Sequence, residues 1–370
     1  MAMTHARNGL TRRRFLRTAA TTTAAAGLAT RFPMPAIAAP RTVKFTLAWL
    51  AQGSSLFTYV ARSKGYMKSR GIELEIARGF GSVAAAQSIA GGQFDFGIVT
   101  APPVVLSVAK GLPLISLAVC DYDSTMGVGV LQDSPIKTPQ DLAGKRIGAV
   151  PTSGEYPFFP AYAKKAGFDI KSVELVHMDS KVVELAVMEK QVDAIMGFAS
   201  SSLPVILSKK VPVRWMLYSA AGIRTYGQTI ATQPKTLAED PALCEAVVDG
   251  LLEGERYTML EPQESMEMFF KEVPEISLNP SGREFTRIGL GMWHFQIDRP
   301  EPREHGLGWA DEAVFGDMTD LVMSYVATPE MKRPTAEALF TNRFAGKYKM
   351  TASEWASMRT RVAEFGKYLG

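Results

Sequence analysis

Residues 82–100 read Ser-Val-Ala-Ala-Ala-Gln-Ser-Ile-Ala-Gly-Gly-Gln-Phe-Asp-Phe-Gly-Ile-Val-Thr. Ser82 offers a helix cap, Ala86 and Ile89 fall within the helical run, and Gly91-Gly92 stops it. Phe94 to Thr100 is then a short β-favouring run. The same hand-over from helix to strand recurs on both sides. Val43 to Trp49, Ile72 to Arg78 and Leu114 to Cys120 read as strands, and Ser54 or Ser55 caps a helix through Leu56, Tyr59 and Val60 that ends at Gly65. Strands alternating with helices predict an α/β unit, a mainly parallel sheet flanked by helices. Ligands of such sheets sit beyond the carboxyl ends of the strands, where loops enter helices.

A second unit begins after Asp133-Ser134-Pro135. Thr138-Pro139-Gln140-Asp141 combines a cap, a proline at the first helical position and an acid three residues after the cap. Strands are expected at Arg146 to Val150, Ser172 to Met178, Asp193 to Phe198, Val213 to Tyr218 and Gly227 to Thr232, and the chain turns helical from about Leu237. Two such units joined near Tyr122 to Gly127 and near Ala221 to Gly227 predict hinged lobes with a cleft between them. Residues 39–125 and 227–370 form the first lobe in this reading, and 126–226 the second. Trp355, Met358, Val362 and Phe365 recur at helical spacing behind the capping box Thr351 to Glu354, so the tail is expected to pack on the first lobe.

The chain has 370 residues, 46% hydrophobic and 21% charged, enough for one large or two moderate cores, which excludes disordered and collagen-like classes. Its net charge of +4 comes from 41 basic and 37 acidic residues. Residues 1–38 hold Arg7, Arg12, Arg13, Arg14, Arg17 and Arg31 and no acid, so the remainder has 35 basic against 37 acidic residues and no basic footprint for nucleic acid. Thr11-Arg12-Arg13-Arg14-Phe15-Leu16-Arg17 resembles the twin-arginine export pattern, and Ala36-Ile37-Ala38 supplies an A-x-A cleavage site. A signal peptide over 1–38 and a soluble mature protein in the periplasm are therefore expected. Cys120 and Cys244 are the only cysteines. Two buried thiols are the ordinary expectation, with pairing left open. Two thiols and four scattered histidines offer no metal site at recognisable spacing, and no cofactor is expected.

Several segments together resemble a family. Gly65-Tyr66-Met67 before Gly71-Ile72-Glu73-Leu74, Ala90 to Gly97, Asp141 to Gly148, and Val192-Asp193-Ala194-Ile195 with Gly197-Phe198 are similar to segments of the solute-binding proteins of ABC importers. The nearest group is the nitrate, sulfonate, taurine and thiamine-precursor (pyrimidine) binding type, and the resemblance spans roughly residues 43 to 345. It implies a two-lobed type II periplasmic binding fold that closes on a small molecule and presents it to a membrane permease. It also carries a rival, because the pyrimidine synthases of thiamine biosynthesis resemble the same fold. Those use a cysteine-rich iron-binding motif and a histidine that is consumed, whereas here the two cysteines stand alone and no histidine falls between His5 and His177. The chain is therefore read as a non-enzyme. A third reading, presentation of the ligand to a sensor, uses the same closed form.

Residues at the strand-to-helix turns are the site candidates. They are Trp49, Gln52, Ser54 and Ser55, then Gly81 and Ser82, then Thr100 and Ala101 on the first lobe, and Thr152, Ser153, Gly154, Glu155 and Tyr156, then Phe198, Ala199 and Ser200 on the second. Ser54, Ser55 and Ser82 have an equal claim as caps of their own helices, and Glu155 as a capping-box acid reaching back to the Thr152 N–H. Phe57, Tyr122, Tyr156, Phe158, Phe159 and Phe198 suggest aromatic walls. None of these loops carries Lys or Arg, so a sulfonate would depend on helix N-termini and hydroxyls. The expected partners are a small organic ligand, namely a heterocycle, an aromatic carboxylate or a sulfonate, and an ABC permease, with the protein acting as a monomer.

Overall fold

A computed structural model describes residues 40–369. The proposed signal peptide lies outside them. Ten strands make two five-stranded mixed sheets. The first contains β1 (Arg41–Thr46), β2 (Ile72–Ala77), β3 (Phe96–Thr100), β4 (Ile115–Val119) and β10 (Gln228–Thr232), in the order β2-β1-β3-β10-β4. The second contains β5 (Met126–Leu131), β6 (Arg146–Ala149), β7 (Glu174–His177), β8 (Ala194–Phe198) and β9 (Val213–Leu217), in the order β7-β6-β8-β5-β9. The two orders are the same pattern.

Each sheet is mainly parallel with one reversed strand. β10 runs antiparallel to β3 and β4, and β5 antiparallel to β8 and β9. The reversed strands are the two that enter a sheet directly from the other one, β4 passing to β5 and β9 to β10. Sequence reading misses β5. Its run Met-Gly-Val-Gly-Val-Leu carries two glycines, which weaken a strand assignment. The structure explains both, since a Cβ on Gly127 or Gly129 would lie 2.4 or 2.3 Å from the Trp215 ring that covers them.

Helices α1 (Leu56–Ser63), α2 (Ser82–Ala90) and α3 (Ala101–Ala109) belong to the first sheet, and α4 (Phe159–Ala166), α5 (Val183–Met188) and α6 (Ala199–Ser208) to the second. α7 (Pro241–Leu260) packs against α1. Phe45, Phe57, Phe96, Phe158, Phe159 and Trp293 are wholly buried, each side chain contributing roughly 1.5–3 kcal/mol of apolar burial. Phe57 stacks on Trp293 at 5.0 Å, and Tyr122 meets Tyr226 edge-on, so these aromatics are core rather than cleft wall.

The C-terminal third departs from a simple return to the first lobe. α8 (Gly282–Ile297) packs both on the turn at Gly53–Ser55 and on α6 of the other sheet. In α9 (Ala352–Val362), Trp355 and Met358 join the larger core. Val362, Phe365 and Leu369 instead join Ile195, Leu203 and Val213 in the cluster beside the second sheet. The tail therefore spans both lobes, because its apolar stripe is longer than one lobe's edge and α8 carries apolar side chains onto the second cluster. Cys120 and Cys244 are both buried and unpaired. Among the described residues, no helix is long and apolar enough to cross a membrane.

Candidate functional site

The carboxyl ends of β1, β3, β6 and β8 turn toward one another across a cavity of about 50 Å³. That is several times the space one water requires. Nine of the sixteen candidates line it: Trp49, Gln52, Ser55, Ser82, Thr100, Ser153, Glu155, Phe198 and Ser200. They come from both lobes, and the lobes touch around them. Gln52 Nε2 donates to Ser201 Oγ at 2.9 Å, Thr152 Oγ1 to the Phe80 carbonyl at 2.6 Å, and Val83 N to the Thr152 carbonyl at 3.1 Å.

The other seven, Thr152 among them, stand behind or beside the cavity. Ser54 Oγ accepts from Gln52 Nε2 at 3.0 Å and Gln228 Nε2 at 3.3 Å, and so positions two lining amides. Gly81 and Gly154 are interlobe contacts, a Cβ on Gly81 falling 2.1 Å from the Thr152 carbonyl oxygen. Ala101 and Ala199 are fully buried, and their N–H groups donate to the carbonyls of Gly227 and Thr125 at 2.8 and 2.9 Å. Tyr156 turns outward, its hydroxyl 2.9 Å from His177 Nε2.

The same contacts limit what helix N-termini could offer a sulfonate. The first N–H groups of α3 and α6 are spent on protein carbonyls, Ser200 N donates to Thr125 Oγ1 at 3.2 Å, and Val83 N near the start of α2 reaches the opposite lobe. The Thr100 N–H is likewise taken by Ser82 Oγ at 3.2 Å. Arg78 lies outside the lining, its guanidinium over the exposed Phe80 ring at 4.7 Å.

Three acids line the cavity, two of which the sequence reading does not single out. Glu155 is 1% exposed and takes the Ser153 hydroxyl hydrogen bond, so it is no capping-box acid. Burial pushes its carboxyl up to about 7 against the Ser153 bond, with Glu184 adding repulsion. Glu184, on α5, accepts from Ser202 Oγ at 2.8 Å, and burial raises it as well. Asp121 leaves β4 at the hinge and is 2% exposed. Its Oδ2 accepts the Gln228 N–H at 3.0 Å, and burial raises it to about 7 despite that bond. A Cβ on Gly227 would sit 1.6 Å from Asp121 Oδ1, so only glycine leaves room for this carboxyl between hinge and cavity.

Gln228 and Gln296 complete the polar lining. Gln228 escapes the rule of carboxyl ends because β10 is reversed and brings its first residue to the cleft. Four buried polar atoms of lining residues have no partner: Thr100 Oγ1, Ser124 Oγ, Glu155 Oε1 and Gln228 Oε1. Buried polar groups are ordinarily paired, so a cluster of orphans in one cavity marks where a ligand completes the bonding.

The lobe contacts carry a modest energy each. Thr152→Val removes the hydrogen bond to the Phe80 carbonyl, about 1 kcal/mol, and should shift the closed-to-open balance roughly fivefold. Distances between spin labels on the two lobes read this directly, and an unchanged distribution would remove the bond from the closure.

Residues 52–265, more than half of the chain, match the family described as NMT1/THI5 like. The formylaminopyrimidine-binding protein of Halalkalibacterium halodurans is 21% identical over 73% of this chain and 84% of its own length. The 4-amino-5-hydroxymethyl-2-methylpyrimidine phosphate synthase of Legionella pneumophila is 23% identical over 66% and 78%. Among solved structures, the periplasmic aliphatic sulphonate binding protein SsuA of Escherichia coli superposes with a TM-score of 0.60 at 16% identity, covering 84% of this chain and 96% of that one. With that family match and that architecture, the chain belongs to the NMT1/THI5-like family and has the fold of the periplasmic binding proteins.

Proposed function

We propose that this protein captures a small organic molecule between its lobes in the periplasm and delivers it to the permease of an ABC importer. The observation that carries the reading is a buried cavity lined from both lobes, with unpartnered polar atoms inside and interlobe hydrogen bonds around it. A ligand touching both lobes favours the closed form by its differential affinity, which is how a hinged receptor signals occupancy. A relative named for formylaminopyrimidine binding and a fold neighbour named for sulphonate binding are consistent with capture.

The synthase relative raises an enzymatic reading. The lining side chains favour capture, since none is Lys, His or Cys, and both cysteines are buried elsewhere. Hydroxyls, amides and carboxyls are the tools of recognition in this cavity.

Thermal melting of the protein without residues 1–38, against pyrimidines, aromatic carboxylates, alkylsulfonates and amines, tests the reading. A ligand at 100 times its Kd adds about 2.7 kcal/mol, a rise of roughly 2–4 °C. Loss of cellular uptake of the same compound on deletion of the gene would tie capture to transport. No shift with any class, before or after unfolding and refolding to strip a resident ligand, would overturn the proposal.

A further inference from the structure

The cavity has a one-sided bonding inventory. Its lining holds three carboxyl groups, Asp121, Glu155 and Glu184, and no Lys, Arg or His. Four backbone N–H groups beside the cavity are engaged within the protein: Ala101 N with Gly227, Ala199 N with Thr125, Thr100 N with Ser82, Val83 N with Thr152. The unmet groups are of the opposite kind. Glu155 Oε1 and Gln228 Oε1 are acceptors, and the hydroxyls Thr100 Oγ1 and Ser124 Oγ can accept as well as donate. Thr100, Ser124 and Glu155 are all at least nine-tenths buried, so each loses solvation that a ligand must restore.

Resting on the capture reading, we infer that the ligand is a compact organic cation presenting several N–H donors, of the amidinium, guanidinium or protonated aminoheterocycle class, held by Asp121, Glu155 and Glu184. A carboxylate or sulfonate would face three acids with no countercharge in the lining. A buried like-charge contact is costly, whereas an N–H-rich cation satisfies the orphan acceptors and the acids together. Trp49 and Phe198, at the mouths of β1 and β8, supply aromatic surface to a planar cation.

The acids differ in placement, and so in what they do for the ligand. Glu155 and Glu184 stand on the second lobe, near enough that the Glu184 charge opposes ionisation of Glu155. Asp121 stands at the hinge and is tied by Gln228 N to the strand that returns from the second lobe. A cation reaching both sets therefore joins the lobes across the same hinge that its binding must bend.

Calorimetric titration with matched scaffolds tests this: benzamidinium, benzamide, benzoate and benzenesulfonate, and butylguanidinium, butyramide and butyrate. The protein is refolded first to remove any resident ligand. At least one cation should bind ten times or more tighter than its neutral partner, with the anions silent. Glu155→Gln should reduce that affinity at least tenfold, and Asp121→Asn likewise. Tighter binding of an anion, or equal binding of cation and amide, would overturn the cation assignment and leave capture standing. Silence of all seven probes to 10 mM would overturn the cation assignment alone, since capture is decided by the melting panel that also contains pyrimidines.

Discussion

Gly154→Val should abolish ligand capture while leaving the melting temperature of the unliganded protein within a few degrees of wild type. A Cβ at this position would lie 2.6 Å from Thr100 Oγ1, 3.1 Å from Ser82 Cβ and 3.2 Å from Phe198 Cζ. Thr100 and Ser82 belong to the first lobe and Gly154 to the second, so the clash arises from the approach of the lobes. Gly154 has no left-handed backbone angle, which makes the effect one of space rather than strain. The threonine hydroxyl can rotate away from one methyl. It cannot clear both branches of valine with Ser82 and Phe198 on the other sides. Overpacking of this kind costs about 3 kcal/mol, equivalent to a hundredfold loss of affinity if closure is required for binding. The lobe cores are untouched, which is why folding should survive. A variant that binds normally would show that the ligand is held without the observed closure, and one that melts far lower would place Gly154 in the folding core.

Much of the architecture is legible in sequence because it depends on local signals. The helix stop at Gly91-Gly92 and the strand that follows need only their own residues, and the rule of carboxyl ends then reaches Thr100, Ser153, Glu155 and Phe198. What escapes depends on distant partners. β5 is disguised by Gly127 and Gly129, whose meaning is set by Trp215 more than eighty residues later. Asp121 directly follows a recognisable strand, yet its importance comes from Gly227, Gln228 and Trp293, which only the return crossover and α8 bring beside it. Glu184 reads as an ordinary first-turn acid until Ser202 and Glu155 are placed around it. The helix N-termini are the reverse case. Sequence places them at the cleft, and the structure shows the N–H groups of Val83, Ala101 and Ala199 already committed to protein carbonyls.

The buried acids also fix how stability must depend on pH. Asp121 rises from 3.8 to about 7, burial outweighing its bond from Gln228 N, with Asp123 adding repulsion. Glu155 rises from 4.5 to about 7, burial outweighing the Ser153 bond. A carboxyl whose folded pKa lies above its unfolded value binds more protons when folded, so stability falls as pH rises between the two values and is level above them. At roughly 1.4 kcal/mol per unit, the loss between pH 4 and 7 is about 4 kcal/mol for Asp121 and about 3 kcal/mol for Glu155. His294 works in the opposite sense. Burial first, and then Arg361, lower it from 6.5 to about 3, so its contribution grows as pH rises through that window. Comparison with variants cancels His294, which is common to all. Asp121→Asn keeps an acceptor for the Gln228 N–H, and Glu155→Gln a partner for Ser153. Each variant should match wild type in urea unfolding near pH 4 and exceed it by several kcal/mol at pH 8, where the wild type must hold an ionised carboxyl in a closed cavity. Glu255, buried on α7, is raised by burial and then by Asp121, so Asp121→Asn relieves it too and widens that variant's advantage at pH 8, while it cancels for Glu155→Gln. Parallel profiles for wild type and both variants would mean that water reaches the acids and that the cavity stands open in solution. Diverging profiles would mean that the empty receptor is strained by its own carboxyls above pH 7, a strain that a bound countercharge relieves.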